Sequence, residues 1–112
     1  MLDDATLALH RQELRRGTAS LACLTLLATT PDYGYNLLDR LAALGFDIEA
    51  NTLYPLLRRL EKQSLLSSDW DTTEARPRKF YRTSAEGLEL LSILRRDWAA
   101  LGTAMDQIGD LS

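Results

Sequence analysis

The sequence contains a single cysteine and a single histidine, and this scarcity excludes two kinds of chemistry. One cysteine forms no disulfide within the chain, and Cys23 lies in an apolar run, so we expect it to pack as a small hydrophobic side chain. Together, Cys23, His10 and scattered carboxylates do not make the clustered ligand set of a metal site. The sequence therefore predicts no metal and no other cofactor.

Long apolar runs are also missing from the chain. No run approaches the roughly 18 residues of a membrane-spanning helix, and residues 1–5 lack the basic segment of a signal peptide. We therefore expect a cytoplasmic protein with no membrane partner. The sequence also lacks a nucleophile paired with a base, a metal cluster and a glycine-rich phosphate loop, so we do not expect an enzyme.

An overall excess of basic residues, which many nucleic-acid-binding domains have, is absent as well. The net charge is −3 and the isoelectric point is about 5.1. The distribution of charge is uneven, however, because residues 49–83 hold seven basic and five acidic side chains, whereas the rest of the chain is more acidic. Positive charge is thus concentrated in one segment, and the overall balance does not exclude a nucleic-acid partner.

What the sequence does have is helical spacing of leucines, divided by turn residues into separate elements. Pro31 ends the first helix and Asp32 is expected to cap the second. The pattern Thr-x-x-Glu from Thr83 is that of a capping box for the last helix. We predict helices over 4–28 (bent or interrupted at 17–18), 33–44, 49–63 and 84–108, and strands over 65–71 and 78–82 that form a hairpin.

This order of elements is that of a winged helix-turn-helix. We expect a mainly helical α+β fold in which the third helix enters the major groove of DNA and the hairpin forms the wing. Residues 1–83 are assigned to the DNA-binding domain with its N-terminal helix, and residues 84–112 to a long C-terminal dimerisation helix. Small α+β domains that do not touch DNA can share the same order, so the fold alone does not establish a function.

Three short segments carry distinctive motifs. Residues 32–38 read Asp-Tyr-Gly-Tyr-Asn-Leu-Leu, residues 51–66 contain Thr-Leu-Tyr-Pro and Arg-Leu-Glu-Lys, and residues 78–83 read Arg-Lys-Phe-Tyr-Arg-Thr. In order and spacing these motifs resemble the PadR family of bacterial transcriptional regulators. The resemblance implies a homodimer that binds palindromic double-stranded operator DNA and usually represses transcription, with the last and the N-terminal helix in the dimer interface. Asn51 and Ser64 stand where the family usually has glycine.

The third helix and the wing hold the residues that we expect to contact DNA. The hydroxyl groups of Thr52 and Tyr54 can reach base edges or phosphates, although Thr52 could instead cap the helix and Tyr54 could pack. Basic side chains on the helix and the wing suit phosphates or the minor groove, although such charges are often only solvated surface. The predicted DNA-binding residues are Thr52, Tyr54, Arg58, Arg59, Arg76, Arg78 and Lys79.

Three side chains near these predicted DNA-binding residues are expected mainly to stabilise the fold and not to contact DNA. Arg82 can pair with an acidic residue within it. Tyr33 and Tyr35 are expected to pack the second helix against its neighbours, although a tyrosine hydroxyl there could also contact a phosphate.

The last helix carries apolar side chains at alternating spacings of three and four residues, which is the pattern of a coiled-coil seam. The predicted dimer-interface residues are Leu91, Leu94, Trp98, Leu101, Met105 and Ile108. A second apolar row widens this surface beyond what one small domain can cover, so we expect a second copy of the chain. Two interpretations of Trp98 remain: it fills the interface, or two Trp98 rings form a slot for a small aromatic effector that releases the operator.

The sequence thus leaves two functional hypotheses. The first is a sequence-specific transcriptional regulator, a repressor that binds a palindromic operator as a homodimer. The second is a winged-helix adaptor for protein–protein interaction that has lost DNA binding, which the acidic isoelectric point favours. The wing favours the first hypothesis, because residues 76–82 contain four basic side chains and no acid, as expected of a strand that contacts phosphates.

Overall fold

The computed structural model describes residues 1–110, which form five helices and three strands. In chain order these are α1 (Asp4–Arg16), α2 (Ala19–Thr29), β1 (Asp32–Tyr33), α3 (Gly34–Ala43), α4 (Ala50–Lys62), β2 (Leu66–Asp71), β3 (Arg78–Thr83) and α5 (Ala85–Asp110). This order confirms the predicted mainly helical α+β winged helix with a long C-terminal helix. The last two residues of the predicted segment 84–112 lie outside the described residues.

The predicted first helix is two helices, separated at Gly17 and Thr18. The amide and the hydroxyl group of Thr18 both donate to the Arg15 carbonyl, at 3.0 and 2.8 Å. In a continuous α-helix the Arg15 carbonyl would accept from the amide four residues later, that of Ala19, instead. α2 supplies three buried side chains to the core, whereas no residue of α1 (Asp4–Arg16) is buried.

Asp32 does not cap the second helix as predicted, because it lies in β1, which pairs antiparallel with β3. Its buried carboxylate contacts the Arg40 guanidinium at 3.1 Å and accepts a hydrogen bond from the Asn36 side chain. Arg40 also donates to the carbonyls of Leu26 and Thr30, at 3.0 and 3.2 Å, at the end of α2. This network joins α2, β1 and α3, and loss of Arg40 would leave a buried carboxylate unpaired.

α3 and α4 end in the same way. The second residue after each helix adopts left-handed backbone, Gly45 with φ of 88° and Ser64 with φ of 63°. In both cases the next amide returns to a carbonyl of the last helical turn at 2.9 Å. Gly45 is therefore confirmed as the predicted stop of the second helix in the helix-turn-helix. Ser64 adopts this backbone at a cost of about 1 kcal/mol, since only glycine is free of steric strain there.

The three strands form an antiparallel sheet in the order β1-β3-β2. The hairpin of β2 and β3 pairs Asp71 with Arg78, so residues 72–77 form the predicted six-residue tip. A leucine-rich core fills the space between the sheet, α2, α3, α4 and the first turns of α5, and each fully buried leucine stabilises the fold by roughly 2 kcal/mol. The buried core residues are Cys23, Leu24, Leu27, Leu37, Leu41, Leu53, Leu56, Leu57, Leu60, Leu66, Tyr81 and Leu91.

α5 is capped by Ser84 and not by the predicted capping box. The Ser84 hydroxyl oxygen accepts from the Gly87 amide at 3.0 Å, whereas the Thr83 hydroxyl donates to the Leu24 carbonyl of α2 at 2.8 Å. The 26 residues of α5 extend for about 39 Å, and only its first turns are buried. Within residues 1–110, no helix is long and apolar enough to cross a membrane.

Candidate nucleic-acid interface

α4, the predicted recognition helix, buries one face in the core and exposes the other. Its buried leucines at positions 53, 56, 57 and 60 form one stripe. With 3.6 residues per turn, the residues opposite this stripe form an outward line along the helix. They are Asn51, Pro55, Arg58 and Lys62, all exposed. Thr52 and Arg59 lie on one flank of the outward line, and Tyr54 and Glu61 lie on the other flank, toward the wing.

Pro55 lies in the second turn of α4 and not at its start, where proline is best tolerated. It is the sixth residue of the helix, and it has no amide hydrogen to donate to the carbonyl four residues earlier, that of Asn51. Both residues lie on the outward line. The Asn51 carbonyl on this face therefore lacks the amide partner that it would have in a regular helix.

A groove of about 590 Å³ lies between the start of α4 and the wing, and both contribute to its lining. The Tyr54 ring packs directly on Gly34, where an added Cβ would lie only 2.4 Å from Cε1 of the ring. Four of the predicted DNA-binding residues line this groove, namely Tyr54, Arg76, Arg78 and Lys79. The other three, Thr52, Arg58 and Arg59, lie on the adjoining exposed surface of α4.

Two basic residues of β3 form ion pairs near the solvent. Arg78 contacts Glu74 at 3.1 Å, and its guanidinium lies 4.6 Å from the centre of the Tyr33 ring. Tyr33 itself packs edge-on against a phenylalanine of β3, which confirms its predicted packing role. Arg82 pairs with Asp69 on the neighbouring strand, as the sequence allowed. Such exposed pairs contribute at most about 1 kcal/mol each, so DNA phosphates can compete for these cations.

Lys79 joins the wing to the recognition helix. Its ammonium group contacts the Glu61 carboxylate of α4 at 2.8 Å and lies 5.3 Å from the centre of the Tyr81 ring. The second oxygen of Glu61 accepts from the Ser68 hydroxyl of β2. The hydrogen bonds from Lys79 and then Ser68 lower the pKa of Glu61, and the bond to Glu61 raises the pKa of Lys79. Both groups are therefore charged at neutral pH.

The wing is thus not the unopposed basic strand that its sequence indicated. The acids that pair with its three strand cations lie at positions 61, 69 and 74, outside the segment 76–82. Within residues 1–110, Arg76 at the wing tip belongs to no ion pair, and neither do Arg58, Arg59 and Lys62 of α4. The unopposed positive charge of this surface lies on α4 and at the wing tip.

Several residues of the interface escaped the sequence analysis. Tyr35 was expected to pack, with a phosphate contact as the alternative; it is 67% exposed and lines the groove, as does Trp70 of β2 at 65%. Asn51 and Lys62 lie on the outward line of α4. Their spacing from Arg58, at seven and four residues, was the available signal for both. No sequence pattern marks Tyr35 or Trp70, because their exposure depends on how α3 and the wing meet.

The C-terminal part of α5 is apolar and uncovered in the single chain. Four of the predicted interface residues are exposed: Trp98, Leu101, Met105 and Ile108. Leu94 is half-buried. Leu91 differs, because it is only 7% exposed and belongs to the chain's own core, so little of it remains for a partner. α1 adds Leu9 and Leu14 to the exposed apolar surface.

Trp98 also borders an apolar cavity of about 380 Å³ within its own chain. The cavity lies between α1, α2, the turn after α3 and α5, and its lining includes Leu14, Leu21, Leu26 and Phe46. Cavities that bind small molecules have volumes of about 300 Å³ or more and mostly apolar walls. Cys23, in contrast, is fully buried, and burial raises the pKa of its thiol to about 12, so it is not a reactive thiolate.

The helix-turn-helix, the hairpin wing and the exposed basic face of α4 are the features of DNA-binding winged-helix proteins, and they place the chain in this class. Residues 23–93 match the family described as "Transcriptional regulator PadR-like family". The chain therefore belongs to the PadR-like family of transcriptional regulators, as its motifs predicted. Regulators of this family bind DNA and are not enzymes.

Individual relatives agree with this assignment. The chain is 46% identical to a PadR family transcriptional regulator from Eggerthella lenta of known crystal structure, with a TM-score of 0.88 over 94% of this chain and 93% of that one. A PadR-like transcription factor from Bacteroides fragilis is 30% identical, with a TM-score of 0.75 over 88% and 96%. Transcriptional regulator Rv3488 of Mycobacterium tuberculosis is 33% identical over 76% of this chain and 79% of its own length.

Proposed function

We propose that the protein is a repressor that binds a palindromic double-stranded operator as a homodimer. α4 enters the major groove and the wing lies along the adjacent backbone. The observation that carries this proposal is the outward line of α4, which presents Arg58 and Lys62 without ion-pair partners among the described residues, beside a groove with an aromatic and basic lining. A repressor of this kind acts on DNA in the cytoplasm.

The contacts divide by chemistry. Arg58, Lys62 and Arg76 bind phosphates, and Arg78 joins them by exchanging its exposed ion pair for a phosphate. Thr52 and Arg59, on one flank of α4, read base edges, and Asn51 adds a side-chain amide suited to adenine. The Tyr54 hydroxyl binds a phosphate from the groove. Lys79 is bonded to Glu61 and has a different role.

Binding of labelled duplex DNA from the region beside the protein's own gene tests this division. We expect Arg58→Ala to weaken binding to all sequences and to reduce the slope of log affinity against log salt by about 2 for a dimer. Arg59→Ala should mainly alter sequence preference. Arg96→Ala is the matched control, because this exposed arginine lies on α5 away from the groove. Equal behaviour of the Arg58 and Arg96 variants would contradict the proposal.

Dimerisation through α5 and α1 explains why so much apolar surface is exposed in one chain. An uncovered apolar row in an isolated domain promotes aggregation, and a second copy covers it by symmetry. We expect Leu101→Glu to place an unpaired charge in the seam and to convert the dimer to monomers in sedimentation experiments. Operator affinity should fall with it, because one half-site supplies only part of the contacts. An unchanged dimer would remove Leu101 from the interface.

A small aromatic effector is a second element of the proposal, supported by the apolar cavity beside Trp98. Such a compound would bind next to the indole and shift the arrangement of the dimer, releasing the operator. In the variant Trp70→Phe, Trp98 is the sole tryptophan, so planar phenolic compounds can be titrated against its fluorescence. Saturable quenching together with weaker operator binding is expected. If no compound of a diverse panel has an effect, Trp98 is a packing residue.

A further inference from the structure

One carboxylate lies where the recognition helix and both strands of the wing meet. Glu61 of α4 accepts from Lys79 of β3 at 2.8 Å through one oxygen, and from Ser68 of β2 through the other. These three residues are 7 to 18 positions apart in sequence, and each lies on a different element. The contact therefore fixes the wing relative to α4 and is not a local feature of either one.

The position of this contact matters for the groove. Glu61 lies two helical turns after Tyr54 on the same flank of α4, and Lys79 pairs directly with Trp70 across the wing. Tyr54, Trp70 and Lys79 all line the groove. The distance between α4 and the wing, and hence the width of the groove, is therefore constrained by the bond between Glu61 and Lys79.

The charges of the pair make a phosphate contact from Lys79 unfavourable. Its ammonium group is already bonded to a carboxylate and lies near the Tyr81 ring, so a phosphate would have to share this cation with Glu61 or displace Glu61 from it. In either arrangement the Glu61 carboxylate would lie close to a DNA phosphate, which is repulsive. Arg78 has no such restriction, because its partner Glu74 is exposed at the wing tip and can turn away.

We propose that Glu61 and Lys79 are positioning residues that hold the wing at the spacing required for operator binding, and that Lys79 is not a phosphate contact. This inference rests on the proposed operator binding. It predicts the direction in which DNA affinity changes when Glu61 is lost. Removing a negative charge from a DNA-binding surface ordinarily strengthens binding. Loss of Glu61 should instead weaken it, in the same way as loss of Lys79.

The test compares Glu61→Gln, Lys79→Gln and the double variant over a salt titration with operator DNA. Each single change should weaken binding about threefold to fivefold for each subunit, as expected for an ion pair that is about one-third exposed, and the double variant should be no weaker than either. The salt slope should stay that of the wild type. Lys79→Arg, which keeps the charge and the donor, should restore affinity. Arg78→Gln is the matched control and should lower the slope by about 2 per dimer.

Tighter binding by Glu61→Gln, or a slope lowered by Lys79→Gln as much as by Arg78→Gln, would overturn the proposal, because Lys79 would then be a phosphate contact. Hydrogen exchange in the absence of DNA supplies a second readout. Amides of β2 and β3 should exchange faster in Glu61→Gln than in the wild type, and equal exchange would overturn the positioning role. If the wild type fails to bind DNA, the proposed function fails, and hydrogen exchange alone then decides whether the pair holds the wing.

Discussion

Replacing Gly34 with alanine is expected to move the Tyr54 ring and weaken operator binding while the fold remains intact. Gly34 is buried at the start of α3, and a Cβ there would lie 2.4 Å from Cε1 of Tyr54. Ordinary contacts begin at 3.4 Å, so the ring must move by about 1 Å. Tyr54 lies at the edge of the open groove, and its side chain can turn toward solvent without disturbing the backbone.

The size of the effect follows from hydrogen-bond geometry. A displacement of about 1 Å carries a hydroxyl group from bonding distance to beyond 3.5 Å, where the bond is lost. A hydrogen bond to a charged phosphate contributes about 1.5 kcal/mol or more, which corresponds to about tenfold in affinity for each subunit and about a hundredfold for a dimer. The melting temperature should change little, because alanine favours the helix as the ring loses contact.

Operator affinity measured by fluorescence anisotropy, with a double-mutant cycle, checks this reasoning. Tyr54→Phe removes the same hydroxyl and should weaken binding by a similar factor, and Gly34→Ala with Tyr54→Phe should be no weaker than either change alone. Gly17→Ala is the matched control, since no atom lies within 4 Å of an added Cβ and its φ is −69°. Wild-type affinity in Gly34→Ala, or additive losses in the double variant, would refute the argument.

Gly87→Ala should destabilise the fold by about 2 kcal/mol or more, because its Cβ would lie 2.1 Å from the Leu65 carbonyl oxygen, part of a backbone that cannot turn aside. An unchanged midpoint of urea unfolding would contradict this. Cys23, whose buried thiol has its pKa raised to about 12, should resist alkylation in the native protein and react only in denaturant. Rapid native labelling would show the burial to be wrong. Since the pKa of Glu61 is lower in the folded chain, its stabilising effect is complete above the ordinary value of 4.5 and is lost as the pH falls through and below it. Glu61→Gln should therefore lose less stability than the wild type between neutral and acidic pH, and parallel losses would exclude the pair as the source.

Most elements could be predicted from the sequence because their signals are local. The leucine spacing of α3 and α4, the stop at Gly45 and the hairpin each depend on residues within a few positions of one another. The two-residue strand β1 could not be predicted, since only its pairing with β3 makes it a strand. The role of Asp32 also depends on long-range packing. Its partner Arg40 is brought to it only when α2, β1 and α3 pack together, so the local sequence predicted a cap for α3 instead.

The candidate site was predicted less well than the fold. The basic residues of the wing were predicted to face DNA without acidic partners. Glu74, which pairs with Arg78, lies only four residues away, but Glu61 lies on α4, so the pairing of Lys79 with Glu61 has no signature in the local sequence. The exposure of Tyr35 depends in the same way on the meeting of α3 and the wing. The outward line of α4 could have been predicted from the sequence, because helical periodicity alone places Asn51 and Lys62 beside Arg58.

A hydroxyl-radical footprint on the DNA beside the protein's own gene tests the central claim most directly. A dimer with one α4 in each of two successive major grooves should protect two symmetric half-sites about 10 base pairs apart, centre to centre, or a multiple of that spacing. Arg58→Ala should remove the protection at a salt concentration where Arg96→Ala keeps it. Protection of a single half-site, or a footprint that Arg58→Ala leaves unchanged, would contradict binding of an operator by a dimer through α4.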